Sequence, residues 1–458
     1  MSAKLYKEKY RPQFHFSAKN GWFNDAIGLV FYKGEYHVSF LNIPNGSESE
    51  DGLFLGVKRW GQAISPDLVH WTELDPAICP GPAEAIKSGS AVVDWANTSG
   101  LQTGGDKVIV AFYTLASPAE DGSGAIECTQ CMAYSNDRGR TWLKYAGNPV
   151  IPNIKGGNRD PRVFWYEPNK KWIMAFYIPE GDIFTFFESR DLKFWMHLQD
   201  YHFPGHGECP DLFPMKVDGD ESNVKWILVV GNGDYMIGNF NGHQFSAESG
   251  PYVGDYGGNY YATQTFSDML DGRRIQMAWM RHGQYPDMPF DQQMNFPTEL
   301  DLKLLPVGLR LCRMPVKEIE NVHREIHKFD GLLIQPGENL LSGIQGDLFD
   351  IQAEIEVGDV TEFGFRANGE MISYSVSSKL LACTGKSVKL EPVNGCIKLR
   401  ILVDRTSIEV YGNDGEVVMT SCYLPTDDGL GISAYSFGKP TKARSLCVHE
   451  LESSWLTS

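Results

Sequence analysis

Long apolar runs, basic clusters and paired cysteines are all missing from this chain. Nowhere do about eighteen apolar residues follow one another, the length a membrane-spanning helix needs. The opening stretch Met1–Tyr10 has no apolar segment of the signal-peptide kind, so it reads as the start of a soluble, cytoplasmic protein. Lysine and arginine total 41 against 58 acidic residues. The net charge of −17 argues against nucleic acid and anionic membranes as partners, because phosphates are held by clustered cations. A neutral sugar makes no such demand. The nine cysteines are odd in number and scattered, which fits free thiols better than a disulfide framework. Cys128-Thr129-Gln130-Cys131 is the one C-x-x-C, with no second pair at zinc spacing, so no metal is expected there. Helical heptads are also scarce, whereas aromatics reach 12% and glycines number 47, a composition that favours strands and tight turns.

What the chain does have is three carboxylates, each just ahead of an aromatic-rich hairpin. Asp25 ends Trp22-Phe23-Asn24-Asp25, Asp160 lies in Asn158-Arg159-Asp160-Pro161, and Glu208 opens Glu208-Cys209-Pro210-Asp211. Hairpin units recur at roughly 50 to 70 residues through the first 300, which is propeller spacing. Two further units begin at Gly89 and Tyr260, giving five blades. Three turns share Ser-x-Asp followed by a tryptophan: Ser65-Pro66-Asp67 with Trp71, Ser135-Asn136-Asp137 with Trp142, and Ser189-Arg190-Asp191 with Trp195. Short polar side chains and a large apolar anchor suit a structural turn at a blade edge. After Pro306 the pattern changes. A charged stretch holds a linker or short helix, and from Phe329 alternating segments such as 348–355 and 397–403 indicate an antiparallel sandwich. Asn413-Asp414-Gly415 marks a tight hairpin within it. The expected division is 1–308 propeller, 309–328 linker and 329–458 sandwich, an all-β chain. Nothing in the text sets an oligomeric state.

Carboxylates at equivalent points of repeated units converge on one axis, and converging carboxylates are what glycosidic bond cleavage requires. One must deliver a proton to the leaving oxygen and another must face the positive charge growing on the sugar ring. Glu208 sits among Gly205, Gly207, Cys209 and Pro210, so desolvation is expected to keep it protonated as the acid. Asp25, beside the Asn24 amide, is the nucleophile candidate. Asp160 adjoins Arg159, whose charge is expected to keep it ionised.

These motifs resemble glycoside hydrolase family 32, the invertase, levanase and inulinase family of β-fructosidases. The likeness runs from about His15 to the end, through Gly21-Trp22-Phe23-Asn24-Asp25, the Arg159-Asp160-Pro161 and Glu208-Cys209 signatures, Trp60 to Trp71, Ser88-Gly89-Ser90-Ala91 and Asp404 to Val410. It implies a five-bladed β-propeller followed by a C-terminal β-sandwich, and retaining cleavage of β-fructofuranosyl linkages; a cytoplasmic enzyme meets imported sugars, so small fructosides or fructooligosaccharides are the expected substrates. Asp25 would attack the anomeric carbon, Glu208 act as acid/base, and Asp160 stabilise the transition state. Trp22, Asn24, Ile27, Leu41, Trp60, Ser90, Arg159, Asn259 and Trp279 are the substrate-binding candidates, with Phe54 and Trp95 as further stacking walls. No metal or organic cofactor is implied. The chain departs from the family at Ala26-Ile27, where Pro-Asn is usual, and at Leu41, where glutamine is usual. Each lost neutral hydrogen bond is worth about 0.5 to 1.5 kcal/mol, so an altered leaving-group preference and poor use of sucrose are expected. The rival readings are a fructosyl transferase or difructose-anhydride enzyme, a sucrose-6-phosphate hydrolase, and a non-catalytic carbohydrate-binding propeller.

Overall fold

A computed structural model describes residues 5–455 apart from 45, 49–53, 120–122, 124 and 426–429. The architecture is a five-bladed β-propeller and a β-sandwich, and the chain divides into two compact units: residues 20–253 with 261–279, and residues 5–19, 254–260 and 280–455 of the described chain.

In the first unit four blades are antiparallel meanders with identical ordering. The first runs Gly21–Tyr32, Glu35–Ile43, Arg59–Ser65 and Thr72–Ile78; the third runs Arg159–Tyr166, Lys171–Ile178, Ile183–Ser189 and Met196–His202. Two-residue turns set their register. Lys33-Gly34 and Asp218-Gly219 both have positive φ at each position, the geometry that matches the twist of paired strands. The Ser-x-Asp phrases close the third strand of blades one to three. Asp67 accepts the amides of Val69 and His70, Asp191 those of Lys193 and Phe194, and Asp137 that of Thr141. In each turn the indole N–H donates back to a carbonyl, from Trp71 to Leu68, Trp142 to Gly139 and Trp195 to Leu192. The structural role expected for these phrases is what the bonds show.

Apolar side chains of neighbouring sheets interleave between blades, for example Val92, Val110, Phe112, Met174 and Phe176 between the second and third. The hub is polar instead. The Arg162 guanidinium, 2% exposed, donates to Asp211 at 2.7 Å and to the Thr265 carbonyl at 3.0 Å, while Asp211 accepts the Thr265 amide. Ser90 donates to the Pro161 carbonyl and accepts the Val163 amide, and Gln264 donates to the Gly89 carbonyl. The ring closes where Phe31 and Ser267 exchange backbone bonds with each other's strands. Buried polar groups bonded across the blades in this way fix the blades to one another, since breaking the Arg162–Asp211 pair would strand a charge.

The second unit holds the sandwich. One sheet is ordered His323–Ile334, Thr441–Leu451, Phe349–Glu356, Cys396–Asp404, Ser407–Gly412 and Val417–Cys422; the other is ordered Lys386–Lys389, Leu380–Cys383, Glu370–Ser375, Glu362–Ala367 and Ile432–Phe437. Their inner faces meet in one core that includes Ile351, Phe363, Phe365, Ile401 and Val448. Residues 413–416 turn the hairpin at Asn413-Asp414-Gly415, all three with positive φ. Lys317–Val322 is a 3-10 helix. Every cysteine is a free thiol, Cys128 and Cys131 included.

Candidate active site

The three acids share a left-handed backbone, and two of them owe it to one device. The first strand of blades one, two, three and five carries a bulge near its start, where an extra residue lies against the neighbouring strand. In blade one the register jumps between Asn24 and Ala26, leaving Asp25 as the extra residue. In blade three it jumps between Arg159 and Arg162, at Asp160; in blade two between Ile86 and Gly89, at Lys87 and Ser88; in blade five between Tyr261 and Gln264, at Ala262. Glu208 precedes the corresponding strand of blade four. Asp25, Asp160 and Glu208 adopt φ of 51°, 64° and 62°, a left-handed conformation that costs about 1 to 3 kcal/mol at a non-glycine residue. A bulge turns Asp25 and Asp160 out of their strands, and the loop ahead of the fourth blade's first strand does the same for Glu208.

The contacts form one cluster. Ser88 Oγ donates a very short hydrogen bond to Asp25 Oδ2. Asp160 accepts the Cys209 amide at 3.3 Å, and its own amide donates to Thr114 Oγ1 at 3.0 Å. Arg159 Nε donates to Glu208 Oε1 at 2.9 Å, and the Tyr261 hydroxyl donates to Glu208 Oε2. The Arg159 guanidinium lies over the Tyr177 ring at 5.2 Å, and a side chain at Gly207 would run into that ring at 2.8 Å. Glycine is thus required there for the loop to bring Glu208 to Arg159.

Charge is concentrated. Burial raises Asp25 to about 7, the Ser88 bond opposes that rise, and the charges of Asp160 and Glu208 add to it. Burial and the charge of Glu208 raise Asp160 to about 6, against the pull of Arg159. The expected setting differs here. Arg159 stands 3.9 Å from Asp160 and 2.9 Å from Glu208, so the cation thought to serve Asp160 grips Glu208, whose surroundings are charged and not bare. Burial also pushes the Cys209 thiol well up, which leaves it an unreactive neighbour.

The remaining candidates separate. Asn24 is 9% exposed, and its side-chain oxygen has no hydrogen-bond partner among the described residues. Trp22 and Trp279 meet edge to face at 6.0 Å with Tyr261 beside them, a buried aromatic group behind the cluster. Trp60 ties its indole to the Lys87 carbonyl at 3.0 Å. Ile27, Leu41 and Trp60 share one apolar core, and Ile27 has no exposed surface. The aliphatic departures therefore fill the core, and the changed leaving-group pocket expected from them finds no contact to rest on. Ser90 spends both hydrogen-bonding capacities between blades; Ser88, two residues earlier and on the bulge, is the serine that touches an acid. Asn259 lies in the second unit, where it donates to the Arg281 carbonyl and accepts the Cys422 amide. Trp95 is bonded to Asp268 at the far end of its strand, and the side chain of Phe54 lies outside the described residues. Ser88, Tyr261 and Tyr177 were missed by sequence reasoning; the bulge position in each blade is the signal that would have found Ser88.

Replacing Ser88 by Ala should remove a bond to a charged acceptor worth about 1.5 to 3 kcal/mol. Because that bond favours ionised Asp25, its loss moves the acidic limb of the kcat/KM profile to higher pH, which a pH series on a soluble substrate will read.

A β-propeller whose hub presents two buried aspartates and a glutamate held by arginine and tyrosine has the converging carboxylates that glycosidic bond cleavage requires, and the class that fits them is the glycoside hydrolases. The sequence matches "Glycosyl hydrolases family 32 N-terminal domain" over residues 15–313 and "Glycosyl hydrolases family 32 C terminal" over residues 318–450. The chain belongs to glycosyl hydrolases family 32 and is an enzyme that hydrolyses β-fructofuranosyl linkages. It is 40% identical to the levanase of Bacillus subtilis (strain 168), covering 99% of this chain and 72% of that protein. A second levanase, from Bacillus sp. (strain L7), is 34% identical, and there the match spans only 53% of the relative. The extracellular exo-inulinase inuE of Aspergillus niger is 29% identical over 98% of this chain and 96% of its own. The crystal structure of exo-inulinase from Aspergillus awamori superposes with a TM-score of 0.87 at 26% identity, covering 99% of this chain and 100% of that one. The expectation of a cytoplasmic enzyme is overturned by these relatives, which include inulinases named as extracellular. With it falls the argument that only small imported sugars would be met.

Proposed function

We propose that the chain is an exo-acting, retaining β-fructosidase whose substrates include polymeric fructan. The observation that carries this is the set of three acids at corresponding ends of three blades, Asp25 and Asp160 on bulges and Glu208 just ahead of its strand, coupled by charge at one end of the propeller hub. Asp25 is the nucleophile: its ionisation is poised near neutrality, and Ser88 holds one oxygen so that the other faces the sugar. Glu208 is the acid/base, with one oxygen held by Arg159 and the other by Tyr261, which fixes the carboxyl plane toward the leaving oxygen. Asp160, gripped by the Cys209 amide, accepts hydroxyls of the fructosyl ring and balances the charge that develops on it. Attack by Asp25 expels the leaving group as Glu208 gives up its proton; water, deprotonated by Glu208, then releases fructose with its configuration kept. Asn24, with its free side-chain oxygen, is the first candidate to accept a substrate hydroxyl. The names of the relatives, levanase and exo-inulinase, support polymer use. The division into propeller, linker and sandwich at 308 and 329 is proposed as well, supported by family matches that meet between residues 313 and 318.

Levan, inulin, kestose and sucrose, each followed by NMR of the first fructose released, test the reading. β-Fructofuranose appearing first from all substrates that are cleaved is expected. An α-anomer, or release of oligosaccharides without fructose, would refute it.

A further inference from the structure

A well-formed cavity of the propeller unit lies apart from the acids. A cavity of about 460 Å³ is walled by Arg162, Phe164, Trp165, Phe213, Trp226 and Arg274, and a second of about 370 Å³ adjoins it around Trp95, Trp165 and Trp172. The walls come from the far ends of the first strands of blades two, three and four, whose near ends meet the cluster: Val92 to Trp95 follow Ser88, Phe164 and Trp165 follow Asp160, and Phe213 follows Cys209. At about 3.3 Å per residue this places the groove roughly 15 to 20 Å from the carboxylates. Arg162, Asp211 and Thr265 close the hub between them.

Its indoles are held in place. Trp95, 42% exposed, donates its N–H to Asp268 at 2.8 Å; Trp165 donates to Glu167 at 2.5 Å and Trp172 to Thr98 at 2.8 Å. Trp165 and Trp172 stand edge to face at 5.0 Å and wall both cavities. With its polar edge anchored, an exposed indole keeps a fixed apolar face toward solvent, which is the surface that stacks on the C–H face of a sugar ring. The local charges balance, Arg162 and Arg274 against Asp211 and Asp268, so the groove selects neither anion nor cation. Two cavities sharing one indole wall fit consecutive units of a chain.

We propose that this groove is a second, non-catalytic binding site for a neutral oligosaccharide chain, namely the fructan that the enzyme degrades. The identity of the ligand rests on the proposed function; the existence of the site does not. A chain held here anchors the enzyme to polymer and raises the local concentration of chain ends at the carboxylates.

Electrophoresis of the full chain through gels containing levan or inulin tests this, with Asp25→Asn present to prevent digestion. Retardation should persist in Asp25→Asn and weaken by about fivefold or more when Trp95→Ala is added, as loss of one of two anchoring sites requires. Trp95→Ala alone should cleave sucrose or kestose at the parent rate, which also shows that it folds, while its KM on polymer rises. A Trp165→Ala variant should behave in the same way. Retardation equal to that of the parent in both tryptophan variants overturns the site, whatever the cleavage results. Trp95-dependent retardation in a protein that releases no fructose from any fructan would sink the proposed function and leave the groove standing as a polysaccharide site.

Discussion

Glu208→Gln is expected to lower kcat/KM on sucrose and fructans by about 10² to 10⁴, the contribution of a positioned general acid. Glutamine keeps the shape of the side chain and can still accept from Arg159 or Tyr261, but it has no proton to give and cannot activate water. The loss should therefore scale with the leaving group. A sugar alcohol departs as a strong base and needs the proton, whereas an activated aryl fructoside departs without it. For the aryl substrate the first step should be nearly spared and the second slowed, so a burst of aryl alcohol should precede a slow steady rate. Asp25→Asn removes the attacking group itself and should abolish that burst. A burst of equal size in both variants would mean that Asp25 is not the nucleophile, and an unchanged sucrose rate in Glu208→Gln would remove Glu208 from the acid role.

Much of this site is legible in the sequence because its blades repeat. Asp25, Asp160 and Glu208 precede similar hairpins, and similar hairpins placed around a ring bring equivalent positions to one hub. The turn chemistry is equally local: Lys33-Gly34 and Asp218-Gly219 need only their own φ values, and the Ser-x-Asp turns close on bonds within a few residues. Contacts made across blades could not be read. Arg159 adjoins Asp160 in the chain yet binds Glu208 in the next blade, because the bulge turns successive side chains in different directions. Ser88 and Ser90 look alike in the text, and only the bulge register tells which one faces Asp25 and which one ties the blades. Ile27 and Leu41 stand out against the family pattern, but whether an aliphatic replacement lines a pocket or fills a core depends on neighbours such as Trp60 and Tyr113, whose places are set by other strands. In its proposed role Asp25 is also a case in which function opposes stability: a carboxylate raised to about 7 by burial and like charge is held there by the rest of the fold.

The second unit carries the opposite case, a buried charge cluster that favours the fold, and its disruption should have a large effect on stability. His15, with no exposed side-chain surface, bonds Asp404 through Nδ1 at 2.9 Å and Glu409 through Nε2 at 3.0 Å, which requires both ring nitrogens to carry protons. Asp404 also accepts the amides of Gln13, Phe14 and His15 and so fixes the segment before the first strand, while Glu409 accepts that of Phe296. His15→Leu would leave two buried carboxylates without their cation, a change that costs about 3 to 5 kcal/mol. Denaturant unfolding should show the midpoint falling with little change in slope. Burial alone would lower the His15 pKa, but the bonds and charges of the two acids outweigh it and raise it from 6.5 to about 9, while Asp404 is held below its ordinary 3.8. The sign follows from linkage. A histidine with a raised folded pKa stabilises fully below about 6.5 and loses that contribution as pH rises toward 9; a depressed aspartate stabilises above about 4 and loses it as pH falls. Between those limits both contributions are present, so the stability gap between the parent and His15→Leu should be widest from about pH 4 to 6.5 and close steadily toward pH 9. A gap that stays constant across that range would mean that His15 acts through packing and not through its charge.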